Sequence, residues 1–146
     1  MDEPRVDAQE VAASLRTSIG LLVRRVKQSR AEGDLTLPES SALSRLDRGG
    51  PATAAELARQ EQISPQSMGA TLAVLLDRGW IERRPDPDDG RRMVLTLTTA
   101  GAAMLHDRRS RRTQQFADVL SAHFSPAELA LLHQAAPLFE RLAEHL

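Results

Sequence analysis

No cysteine occurs among the 146 residues of the chain, which excludes disulfides, thiol nucleophiles and cysteine-ligated zinc. Aromatic residues make up only 3% of it, too few for a broad stacking platform for planar ligands. Neither charge predominates: 19 Lys and Arg face 20 Asp and Glu, a formal net charge of -1. Any surface made for a polyanion must therefore be a local patch assembled by the fold. No apolar run approaches the roughly 20 residues of a membrane-spanning helix. The acidic, polar start MDEPRVDAQE lacks the basic and apolar regions of a signal peptide. A cytoplasmic protein with no membrane partner is expected.

Chemistry-bearing motifs are also missing. There is no glycine-rich phosphate loop, no nucleophile elbow and no clustered acid and base, so the sequence does not read as an enzyme. His106, His123, His133 and His145 supply no i, i+4 pair within one helix and no carboxylates in a ligand pattern, so neither a metal nor another cofactor is expected.

Helix-start chemistry is abundant. In a capping box a Ser or Thr accepts the N3 amide and a Glu or Gln returns to the cap amide. Thr36-Leu-Pro-Glu39, Thr53-Ala-Ala-Glu56 and Ser125-Pro-Ala-Glu128 fit it, and Ser64-Pro65 adds a cap followed by proline at the first helical position. Val11, Leu15, Ile19, Leu22 and Val26 give an amphipathic helix over about 7–31, ending near Gly33. A short helix over 37–47 stops at Gly49-Gly50-Pro51. Helices over 53–60 and 64–78 follow, separated by a brief turn and closed by Gly79.

Ile81 to Arg84 and Met93 to Leu97 are β-capable, and the charged stretch PDPDDGRR between them closes a hairpin. A helix beginning at Thr98 or Thr99 runs to His123. It has no apolar side chain from His106 to Gln115, which suggests a solvent-bridging connector buried at its ends. Arg108, Arg109, Arg111 and Arg112 are expected on its solvated face, or paired with acids such as Glu140 and Glu144. Leu129, Leu132, Ala136, Phe139 and Leu142 stripe a last helix, with Pro137 inside it. The order is α-α-α-α-β-β-α-α, mainly α with a small β-hairpin. The apolar stripes of the terminal helices call for each other and for a second copy of the chain.

Thr53 to Gly101 resembles the winged helix-turn-helix of the multiple-antibiotic-resistance regulator (MarR) family. The matching residues are Glu56-Leu57-Ala58, Ser64-Pro65, Arg78-Gly79, Asp89-Gly90-Arg91, Leu97-Thr98 and Gly101. Over nearly the whole chain the helix order matches too. The resemblance implies a single domain over 1–146, with a DNA-binding winged lobe over 36–99 and a helical dimerisation lobe over 6–34 and 100–146. It implies a homodimer that binds double-stranded DNA, often with a small ligand between the lobes. Two features depart from the family's pattern: no Lys or Arg occurs between Arg59 and Arg78, and Glu61 and Gln62 replace the apolar residue and glycine common in the turn.

The residues read the same way. On the 64–78 helix, Met68, Leu72, Leu75 and Leu76 form an anchoring side. Ser64, Gln66, Ser67, Gly69, Ala70 and Thr71 form a face for the major groove, where Gln66 suits adenine and the small residues permit close approach. Because this face carries no cation, the hairpin must supply the phosphate-neutralising charge: Arg83, Arg84, Arg91 and Arg92, with Asp89 orienting Arg91 by a local ion pair. Leu22, Val26, Leu43, Leu46 and Met104 are the candidates for an apolar site taking a small apolar or phenolic effector. The function expected is a ligand-responsive transcriptional repressor reading a pseudo-palindromic operator. The alternative is a dimeric winged-helix scaffold that binds a protein partner or lacks sensing.

Overall fold

The computed structural model describes residues 6–30 and 33–146. Eight elements follow in chain order: α1 (Ala8–Gln28), α2 (Leu37–Gly49), α3 (Ala54–Gln60), α4 (Pro65–Asp77), β1 (Ile81–Pro85), β2 (Met93–Leu97), α5 (Thr99–His123) and α6 (Pro126–Glu144). The chain divides into two compact units, Met1–Thr36 and Leu37–Leu146.

The first unit contains α1. Asp7 caps its start, the carboxylate accepting the Gln9 amide at 3.3 Å. Arg25 and Lys27 lie in its last turn, where cations complement the carbonyl end of a helix. It ends at Gln28, earlier than the apolar spacing suggests, where the Arg30 amide turns to the Lys27 carbonyl three residues back and the Ser29 hydroxyl takes the Val26 carbonyl. The expected last residue, Ala31, lies outside the described residues. No residue of α1 is buried, and its apolar side chains stand open, Leu22 at 53% and Leu21 at 52% exposure.

In the second unit a core gathers under α2, α3, α4 and the hairpin. Ala42, Leu43 and Leu46 of α2, Leu57 and Ala58 of α3, and Met68, Leu72 and Leu75 of α4 are buried with Ile81, Val94, Leu95 and Leu105. Complete capping boxes start α3 and α6. β1 and β2 pair antiparallel from Ile81↔Leu97 to Pro85↔Met93. Residues before α3 join this sheet, with Ala52 and Leu95 exchanging backbone bonds of 3.2 and 2.8 Å.

α5 starts tightly against the end of α4. The Thr98 hydroxyl donates to the Gly79 carbonyl at 2.6 Å and accepts the Gly101 amide at 3.0 Å. A Cβ on Gly101 would stand 1.9 Å from the Trp80 carbonyl oxygen, so only glycine permits this approach. The middle of α5 buries no residue from His106 to Gln115, as expected of a solvated connector, but two of its arginines find partners on α2. Arg108 is half-buried and donates to Ser40 at 3.0 Å, while Arg109 meets Asp47 at 2.8 Å. These arginines pair with α2, not with Glu140 or Glu144. α6 continues through Pro137 to Glu144 and buries nothing. Among the described residues no helix is long and apolar enough to cross a membrane.

Candidate nucleic-acid interface

α3, a turn and α4 form a helix-turn-helix. Its turn carries Gln62 at φ 53°, a left-handed conformation. Ser64 caps α4, accepting the Ser67 amide at 3.1 Å and donating to the Ser67 hydroxyl at 2.9 Å. The Ser67 hydroxyl therefore keeps its own proton for an outside acceptor. Burial of Met68, Leu72 and Leu75, with Leu76 half-buried, fixes the rotation of the helix about its axis. Gln66, Ser67, Gly69, Ala70, Ala73 and Val74 consequently face outward. Thr71 is half-buried and spends its hydroxyl proton on the Ser67 carbonyl, 3.1 Å away. The exposed face is narrow and uncharged, and among the described residues the Gln66 amide makes no hydrogen bond.

The hairpin lies beside this face. Ala54, Gly69, Leu72, Arg83, Met93 and Leu95 line one shallow cavity of about 230 Å³, so α4 and the root of the hairpin share a surface. The tip is held by its own backbone. Asp86 donates its amide to the Arg92 carbonyl at 2.8 Å, Arg92 returns an amide to the Asp89 carbonyl at 3.0 Å, and the Asp86 carboxylate accepts the Asp88 amide at 2.9 Å. Asp89 acts here too. Its carboxylate accepts the Arg91 backbone amide at 3.1 Å. The ion pair expected between Asp89 and the Arg91 guanidinium does not form among the described residues, because an Asx-type turn uses the carboxylate locally.

The four hairpin arginines sort into two kinds. Arg84 is paired with Glu82, two residues back on the same face of β1, with Nε to Oε1 at 2.7 Å. Arg92 reaches across to Glu56 of α3 at 2.8 Å and lies 3.6 Å from Asp86. Arg83 and Arg91 are exposed, and neither guanidinium has an acid partner among the described residues. The Glu56 carboxyl is held below its ordinary value by the Thr53 amide and then by Arg92, and Glu56 in turn raises Arg92. The pair is therefore charged throughout the neutral range.

Sequence reasoning named the hairpin arginines but not Glu56's second partner, because Glu56 looked fully employed as a cap. The residues considered for an effector are dispersed. Leu43 and Leu46 are sealed in the core of the second unit, Met104 is half-buried on α5, and Leu22 and Val26 belong to the first unit. Among the described residues, no group of three or more His, Asp and Glu is placed to hold a metal ion.

A helix-turn-helix whose second helix is anchored by one face and bare on the other, followed at once by a β-hairpin, defines a winged helix-turn-helix protein. A sequence profile of the MarR family matches residues 33–92. An uncharacterised HTH-type transcriptional regulator of Mycobacterium bovis is 30% identical over 134 residues, covering 92% of this chain and 93% of that protein. The multiple antibiotic resistance protein MarR of Salmonella typhimurium is also 30% identical, over 99 residues, 68% of this chain and 69% of that one. The crystal structure of a Pseudomonas aeruginosa protein superposes with a TM-score of 0.78 at 29% identity, covering 93% of this chain and 94% of that one. The chain belongs to the MarR family of transcriptional regulators.

Proposed function

We propose that the protein is a homodimeric repressor that binds a pseudo-palindromic operator, reading bases with α4 and holding the backbone with its wing. The observation that supports this most is the division of labour on one surface. Gln66 and Ser67 offer free hydrogen-bonding groups on a helix thin enough for a major groove, and Arg83 and Arg91 offer cations without acid partners beside it. Gly69, Ala70 and Thr71 shape that helix face, Ser64 fixes its start, and Asp89 fixes the tip that carries Arg91. Two-fold symmetry would set two such surfaces about one helical turn apart on DNA. A regulator of this kind works in the cytoplasm, beside its operator.

The dimer follows from the open stripes of α1 and α6. Leu22 of α1 and Leu132, Phe139 and Leu142 of α6 stand at 53%, 45%, 41% and 39% exposure, apolar faces of the kind that a partner surface covers. Regulation by a small apolar or phenolic effector is part of the proposal. Leu22, Val26, Leu43, Leu46 and Met104 are the residues put forward for it, of which Leu43 and Leu46 would require the core of the second unit to open.

Selection of bound duplexes from a random pool, with and without a phenolic carboxylate such as salicylate, tests the reading. A recovered palindrome with half-sites about 10 base pairs apart is expected. Recovery should fall when the effector is added, and Gln66→Ala should relax preference at one position in each half-site. Absence of duplex binding even at low salt would favour the scaffold that binds a protein partner.

A further inference from the structure

β2 is fastened to the helix-turn-helix at two points. At Leu95 the fastening is backbone, through the paired bonds to Ala52. Three residues toward the tip it is side chain. The Arg92 Nη2 donates to Glu56 Oε1 at 2.8 Å, while Glu56 Oε2 accepts the Thr53 amide at 2.8 Å. One carboxylate thus closes the cap of α3 and grips the wing. At about 3.3 Å per residue, roughly 10 Å of strand separates the two fastenings. Without the second, the loop over 86–92 would be held to the helix-turn-helix only through the root of the hairpin.

Electrostatics sets Arg92 apart from its neighbour. Its guanidinium lies between Glu56 and Asp86, two acids for one base, so the cluster has no net positive charge with which to displace counterions from a phosphate. Arg91 has no such neighbour and points from the tip. The uncharged face of α4 makes every hairpin arginine a candidate contact, and the geometry separates Arg92 from Arg91.

We propose that Glu56 and Arg92 are positioning residues, a clasp that sets the wing relative to α4, and that Arg92 does not contact DNA. The assignment rests on the DNA-binding reading above, but the clasp itself is measurable without DNA. Glu56→Gln keeps an oxygen for the Thr53 amide and removes the charge that holds Arg92. Arg92→Gln leaves the cap untouched and serves if the first variant folds poorly. In the DNA-free protein, amide exchange at Asp86 and Arg92 should quicken about three- to tenfold in either variant, and no further in the double variant. Operator affinity should fall by a similar factor while the dependence of log affinity on log salt keeps its slope.

The contrary case gives results of opposite sign. If Arg92 were a contact residue merely masked by Glu56, Glu56→Gln would tighten binding and steepen the slope. Arg92→Gln would then make the slope shallower by about two per dimer. Either result overturns the clasp, as does unchanged exchange at both amides. A wild-type protein that bound no DNA would defeat the functional reading alone, leaving exchange to decide the clasp.

Discussion

Gln62 and Gly101 show how single residues hold the helix-turn-helix in shape. The turn before α4 places Gln62 at φ 53°, a conformation that costs an L-residue about 1–2 kcal/mol. Gln62→Gly removes that cost and returns part of it as chain entropy in the unfolded state, so a net gain of about 0.5–1 kcal/mol is expected in urea unfolding. Gly101 behaves in the opposite way. The Cβ of Gly101→Ala would lie 1.9 Å from the Trp80 backbone oxygen, and neither helix nor carbonyl can yield cheaply, so a loss of about 2–4 kcal/mol is expected by the same measurement. Glu128, like Glu56, has a carboxyl held below its ordinary value, in its case by the Ser125 amide and then the Ser125 hydroxyl. A depressed folded value means that the stabilisation is present above the unfolded value near 4.5 and is lost as pH falls through the folded one. Glu128→Gln should accordingly lose less of its urea midpoint than wild type between about pH 6 and pH 3.

Elements divide into those written locally and those set at a distance. The starts of α3, α4 and α6 were legible because a cap and its partner lie three residues apart, and the exposed face of α4 was legible because apolar residues at helical spacing fix which side turns inward. The hairpin strands were legible to within a residue from Pro, Asp and Gly between two β-capable runs. The end of α1 was not, since nothing polar interrupts its stripe before the Ser29 turn forms. Cross-links were hidden for a simpler reason. Arg92 finds Glu56 36 residues away, Arg109 finds Asp47 at a separation of 62, and Arg108 finds Ser40 at 68. No periodicity reports such partners, so the solvated middle of α5 gave no sign that Arg108 and Arg109 reach α2. Arg109→Ala should therefore lower stability modestly, by up to about 1 kcal/mol, and leave the salt dependence of DNA binding unchanged. A shallower slope in that variant would assign the α5 arginines to phosphate instead.

For the whole molecule, near-zero net charge and a DNA-binding role are compatible because two of the four hairpin arginines are left without an acid partner at one place on the surface. Arg84 and Arg92 are matched to acids, whereas Arg83 and Arg91 are exposed without an acid partner among the described residues and are the cations proposed to meet a duplex. A homodimer of the proposed kind would double each contact. Light scattering should find a dimer at micromolar concentration, and Leu138→Asp on the open face of α6 should shift it towards smaller species. The most direct test of the account is the salt dependence of operator binding by Arg91→Ala. Arg91 is exposed, outside the core and without an acid partner, so the variant should stay a folded dimer with nearly unchanged thermal stability. Two lost contacts per dimer should weaken binding and make the slope of log affinity against log salt shallower by roughly two. Unchanged affinity and slope, on a folded dimer, would contradict the wing's part in the mechanism.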